Sequence, residues 1–276
     1  MTKTSPIIWI RFLRLPAVLT VPGDVLVGAA VQWEGFPWME VFAVCSAYLF
    51  GMALNDLHDL PSDRQARPER PLPQGNLSHN HAKGACFGLG LLSIFINPVL
   101  PQAILLLLIV GYTQMKNRSL MLGALLMAAC RCTALWIGGG AVTSLSFLVL
   151  LPLWGSLIFL VTWLADFEEG EREGWVYPAT ILTGIWLCAP FGAFAMGNPR
   201  FILFIPWALL AVLAVRNILL IHRRNHVAPQ NIGIWLSMLM PLQSIFLISF
   251  GRWAEGIVIL FLWPFLKWAV RKIQIS

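Results

Sequence analysis

Long, uninterrupted apolar runs separated by short polar stretches set the pattern of this chain. They fall near residues 16–33, 39–56, 82–98, 101–115, 119–139, 146–165, 177–197, 201–221, 231–250 and 253–270. None shows the strict alternation of a half-buried strand, and most approach the roughly 20 residues a helix needs to cross a bilayer. A membrane leaves helices or a closed barrel as the two ways to satisfy every backbone polar group. The pattern therefore predicts an all-α membrane protein, a polytopic bundle of nine to ten transmembrane helices. The count is ten if Gly251 and Arg252 separate two spans, and nine if they break one. No stretch is left for a soluble domain, so residues 1–276 are predicted to form a single transmembrane helical domain.

Composition supports that class. Of the 276 residues, 58% are apolar and 12% charged, against about a quarter charged in ordinary soluble domains. Disorder and a disulfide-stapled secreted fold are thereby excluded. The five cysteines lie in apolar stretches without zinc-site spacing, and the first apolar run reads as an uncleaved span.

The net charge of +6 is distributed by loop. With the N-terminus in the cytoplasm, the inner side collects Lys3, Arg11 and Arg14, then the arginines of residues 64–70, Lys83, Lys116, Arg118 and most of the C-terminal cations. The outer side keeps Arg200 and Arg252. That is the positive-inside bias. It assigns the charge to loops at an inner (plasma) membrane surrounded by lipid, and nucleic acid is not an expected partner.

Acidic residues are distributed more tellingly. Nine of thirteen lie in two loops on the predicted cytoplasmic side. Asp56, Asp59, Asp63 and Glu69 follow the second span. Asp166, Glu168, Glu169, Glu171 and Glu173 follow the sixth. On a helix, Asn55 and Asp59 are one turn apart, and Asp56, Asp59 and Asp63 share a face. Asp166, Glu169 and Glu173 repeat that spacing. Like charges repel unless a cation compensates them, and such hard oxygen donors suit Mg²⁺ with phosphate oxygens. Two acidic groups on one side therefore point to a metal–diphosphate cradle, the alternative being solvated helix ends. Cations to complete it are at hand. Tyr112 and Lys116 stand one turn apart at a helix end. Arg131 lies inside the fifth span, where an unpaired charge costs at least a few kcal/mol. The proline-rich loop from Arg64 through Arg67 and Arg70 to Gly75 could cover the cradle.

Asn55-Asp56-x-x-Asp59-x-x-x-Asp63, followed by Arg67-Pro-x-Arg70-Pro-Leu-Pro-x-Gly75, resembles the first aspartate-rich motif and following loop of the UbiA-type intramembrane prenyltransferase superfamily. Tyr112-x-x-x-Lys116 is similar to its Tyr/Lys motif, and Arg131 falls where a fifth-helix arginine is often found. The resemblance implies a helical bundle around a central cavity and Mg²⁺-dependent ionisation of an isoprenyl diphosphate. The released group would pass to a lipophilic acceptor, often an aromatic quinone precursor. By position it implies Asn55, Asp56, Asp59 and Asp63, with Asp166 and Glu169, as metal ligands. Asn55, Arg70, Lys116 and Arg131 become substrate-binding residues, and Asp59, Asp63, Tyr112 and Lys116 the catalytic set. The second cluster departs from the family by replacing most aspartates with glutamates, which would place the chain in a divergent, ebo-cluster-like branch. Two other classes share these features: an intramembrane terpene cyclase using the same donor, and a non-catalytic lipid-binding or transport protein on the same bundle.

Overall fold

The computed structural model describes residues 5–32, 35–140, 145–165, 179–185, 188, 204–224, 227 and 229–273. Among these the regular structure is helical, as the apolar pattern predicts. In chain order the helices are α1 (Pro6–Phe12), α2 (Leu15–Val18), α3 (Pro22–Gln32), α4 (Trp38–His58), α5 (Leu60–Ala66), α6 (His79–Ile96) and α7 (Leu100–Met115). They continue with α8 (Leu120–Gly139), α9 (Leu145–Ala165), α10 (Phe204–Arg224), α11 (Pro229–Ser237), α12 (Leu239–Ser249) and α13 (Trp253–Ile273). Each of the ten predicted runs coincides with helix, although the seventh is described over 179–185 and at 188 alone.

Among the described residues, five helical stretches are long and apolar enough to cross a membrane, and a sixth counts if the bent segments Pro6–Phe12 and Leu15–Val31 form one span. The breaks have local causes. Pro241 cannot donate to the carbonyl one turn back, at Ser237, and the ninth run accordingly breaks at Met238 between α11 and α12. At the end of α12 the Gly251 amide bonds to the Ile248 carbonyl oxygen and the Arg252 amide to that of Leu247. With Gly251 at φ 85°, this is a Schellman ending that few other residues could adopt. Ser78 and Ser119 cap α6 and α8 by accepting from the amides of His81 and Leu122.

Helix α8 is the axis of the described bundle, packing on α3, α7 and α9, while α4 packs on α6 and α7. In the Asn231–Ser249 stretch 83% of the most apolar window is buried, which makes α11–α12 an interior element. Between α3 and α8 the backbones nearly touch. A Cβ at Gly138 would stand 1.9 Å from the Val25 carbonyl oxygen, and one at Gly28 would stand 2.0 Å from that of Leu135. Glycine at both crossing points lets dispersion contacts form along the two backbones, where lipid offers no hydrophobic drive between helices.

Gly138→Ala is therefore expected to lower the thermal unfolding midpoint in detergent, by about 1–3 kcal/mol of stability or more. Gly84→Ala, where an added Cβ meets nothing within 4 Å, should be neutral or slightly stabilising.

Candidate active site

The first acidic motif straddles the α4–α5 joint. Pro61, second residue of α5, withdraws the donor that would bond to the Leu57 carbonyl. The chain bends at Asp59 although the bonds Asp59 N–H to Asn55 O (2.9 Å) and Asp63 N–H to Asp59 O (2.8 Å) persist. This joint divides the face that the spacing predicts as shared. Asp56 and Asp63 turn to one side and meet the same guanidinium: Arg70 Nη1 is 2.6 Å from Asp63 Oδ2 and 3.5 Å from Asp56 Oδ1. Asp59 turns to the other side and takes Lys116 Nζ at 2.5 Å, with His58 Nδ1 at 3.3 Å.

The covering loop reaches this place by burying its own apolar residues. Helix α5 stops at Arg67, the residue before Pro68, where helical backbone is disfavoured. Leu72 and Leu77 then pack beside Phe12, Ala53 and Cys86. That anchorage turns Arg70 inward, leaving it 6% exposed. A second arginine arrives from the N-terminus. Arg14 caps α2 in the left-handed region, at φ 49°, and its Nη2 donates to Asp56 Oδ1 at 2.9 Å. Holding a non-glycine residue there costs backbone strain, and the part-buried ion pair helps to offset it. Three carboxylates and three cations thus meet at the end of the bundle where α4 and α7 stop and α8 begins.

Below this mouth lies an apolar chamber lined by Val21, Val44, Leu105, Ile109, Met127 and Ala134, with Asn55, Tyr112 and Arg131 among its walls. Of the residues singled out in the sequence, Asn55, Tyr112 and Arg131 border this chamber, and Asp56, Asp59, Asp63, Arg70 and Lys116 form the mouth. Asp166 and Glu169 lie outside the described residues.

Arg131 has a partner that the sequence reading did not assign. Its Nε stands 2.7 Å from Asp24 Oδ2, and its Nη2 lies 3.3 Å from Oδ1 and 3.2 Å from the Thr20 carbonyl oxygen. Asp24 is fully buried. Its Oδ1 also accepts from Trp154 Nε1 at 3.0 Å and from Gln243 Nε2 at 2.8 Å. The signal available in sequence was a lone aspartate in the first apolar run and a lone arginine in the fifth, each too costly in lipid to stand alone.

The donor set at the mouth suits a hard divalent cation: its atoms are oxygens, and Asn55 Oδ1 is buried without a hydrogen-bond partner among the described residues. Among the described residues no three carboxylate, histidine or cysteine groups converge to hold an ion. The protein's own cations occupy the carboxylates instead.

Asp59 lies just beyond the end of α4. Burial alone would raise its pKa, but the hydrogen bond and charge of Lys116, helped by His58, bring it below the ordinary carboxylate value. A lowered carboxylate stabilises the fold above its unfolded pKa, ~3.9, and loses that contribution as pH falls through its folded value. Lys116→Met should therefore cost about 1–3 kcal/mol at pH 7. In thermal unfolding its difference from the unsubstituted protein should shrink as pH falls below about 4 and through the lowered folded value of Asp59.

The profile of the UbiA prenyltransferase family matches residues 20–239. A digeranylgeranylglyceryl phosphate synthase of Methanococcus maripaludis (strain C5) is 30% identical over 153 residues, covering 50% of this chain and 51% of that protein. A synthase of the same name from Saccharolobus solfataricus is 29% identical over 130 residues, covering 45% and 46%. The chain thus spans about half the length of the curated relatives it matches. Among solved structures, a UbiA homolog from Archaeoglobus fulgidus bound to GPP and Mg²⁺ superposes with a TM-score of 0.59 at 16% identity, over 92% of this chain and 99% of that one. A structure of digeranylgeranylglyceryl phosphate synthase gives 0.59 at 17% identity, over 91% and 98%. At such identities the superpositions show a shared fold.

Proposed function

Because the chain belongs to the UbiA prenyltransferase family, we propose that it ionises an isoprenyl diphosphate at the α4–α5 mouth and transfers the allylic group to a lipophilic acceptor in the membrane. The observation that carries this reading is the juxtaposition of Asp56, Asp59 and Asp63 with Arg14, Arg70 and Lys116 at the mouth of an apolar chamber. The solved homolog bound to GPP and Mg²⁺ supports the donor class. The bias of basic loops toward the same side supports a mouth on the cytoplasmic face.

Asn55, Asp56, Asp59 and Asp63, with Asp166 and Glu169 of the second cluster, would hold Mg²⁺, which supplies Lewis-acid stabilisation of the departing diphosphate. The protein's residues do the rest. Lys116, Arg70 and Arg14 are already held at the carboxylates, so they can turn to the phosphate oxygens without crossing the bilayer. The allylic carbon–oxygen bond breaks with its electron pair going to the diphosphate, and those cations stabilise the charge that develops there. The apolar walls keep water from the allylic cation, and the Tyr112 ring borders the space it occupies. An acceptor nucleophile then bonds to the carbon, and its proton leaves with the diphosphate.

Purified protein incubated with radiolabelled geranyl, farnesyl and geranylgeranyl diphosphates should release diphosphate in Mg²⁺ and not in EDTA. Asp59→Ala should lower that release at least about a hundredfold. A membrane-lipid extract should convert the label to a larger product. A cyclic hydrocarbon formed from donor alone would identify a cyclase instead, and no release from any donor by folded protein would contradict the proposal.

A further inference from the structure

We infer that Asp24 and Arg131 make the deep end of the chamber an uncharged polar subsite, which takes an oxygen of a neutral acceptor and disfavours an anionic one. The inference rests on the transferase reading above. Arg131 is eleven residues along α8 from Leu120, about 16 Å at 1.5 Å per residue. Asp59, Asp63 and Lys116 cluster where that helix begins. A diphosphate held by the cations of the mouth therefore leaves Arg131 beside the organic part of the reaction.

Arg131 does not present a free charge there. Asp24 engages its Nε at 2.7 Å and its Nη2 at 3.3 Å, and a full positive charge is set against a full negative one inside the bundle. Trp154 and Gln243 hold Asp24 in place from α9 and α12, so the carboxylate cannot swing away to admit another anion. Among the described residues, Arg131 Nη1 makes no hydrogen bond, and the side chain borders the chamber. A hydroxyl, amide or carbonyl oxygen finds a donor at that corner. A carboxylate or phosphate would bring a second negative charge beside Asp24, desolvated and without a counter-charge, which a buried site disfavours strongly. Asp24 thus acts through Arg131 as the residue that sets acceptor charge.

Two ring probes of equal size separate the cases: 4-hydroxybenzamide, which is neutral, and 4-hydroxybenzoate, which is an anion. Their binding would be measured by thermal shift in lipid nanodiscs holding Mg²⁺ and the slowly reacting donor farnesyl thiodiphosphate. The unsubstituted protein should bind the amide at least about tenfold more tightly. Asp24→Asn, which leaves the Arg131 charge uncompensated, should shift the ratio about tenfold or more toward the anion. Asp24→Asn combined with Arg131→Gln, neutral again, should restore the preference for the amide. Tighter binding of the benzoate by the unsubstituted protein overturns the inference. So does a ratio that a folded Asp24→Asn leaves unmoved, or failure of the amide to bind. If Asp24→Asn does not fold, the ratio in the unsubstituted protein decides alone. Should the donor analogue itself fail to stabilise the protein with Mg²⁺, the transferase reading falls first and this inference with it.

Discussion

A carboxylate with no solvent exposure, set among apolar helices, must find its counter-charge inside the protein, and the bundle is organised around that requirement. Asp24 draws Arg131 from α8, Trp154 from α9 and Gln243 from α12 onto one atom group at the start of α3. Gln243 Nε2 and Arg131 Nη2 also share the Thr20 carbonyl oxygen, which the bend before α3 leaves without a helical donor. Four helices are thereby fixed in register by polar contacts that lipid cannot replace. The glycine crossing between α3 and α8 lies on the same two helices, so their close approach and the ion pair support each other.

The same rule operates at the mouth with the opposite consequence. There each carboxylate is matched by a cation: Arg14 and Arg70 at Asp56, Arg70 at Asp63, Lys116 at Asp59. Without ligand the arrangement is close to neutral, and the carboxylates do not collapse outward by repulsion. A metal–diphosphate complex brings both signs of charge and can therefore be exchanged into it with little net change. On the proposed function, carboxylates would pass to metal and cations to phosphate, and the site would suit that charged pair better than either half alone.

Much of this was legible in the chain. The spans were readable because backbone groups in lipid must be satisfied within a helix, which makes length and hydropathy nearly sufficient. The cluster from Asn55 to Asp63 was readable because so many acids in one loop require compensation. What spacing could not show was which carboxylate meets which cation. Helical periodicity put Asp56, Asp59 and Asp63 on one face, but the Pro61 break gives Asp59 to Lys116 and the other two to Arg70. Asp24 was invisible for a different reason. A lone aspartate in an apolar run announces a cost without naming a partner, and Arg131 lies 107 residues away. A buried arginine in the fifth span calls for a carboxylate or phosphate partner, and the structure supplies the carboxylate as Asp24 while Arg131 still borders the chamber. The second acidic cluster, Asp166 to Glu173, falls outside the described residues and stays an expectation drawn from spacing.

The central claim is that metal and diphosphate enter the mouth together, each completing the charge balance of the other. It is tested most directly by titrating Mg²⁺ into the purified protein, with and without farnesyl thiodiphosphate, and following binding by calorimetry. The account predicts weak Mg²⁺ binding alone, at least about tenfold tightening with the diphosphate analogue, and loss of that coupling in Asp59→Asn. Binding of the analogue that is equally tight in EDTA, and unchanged by Asp59→Asn, would contradict it.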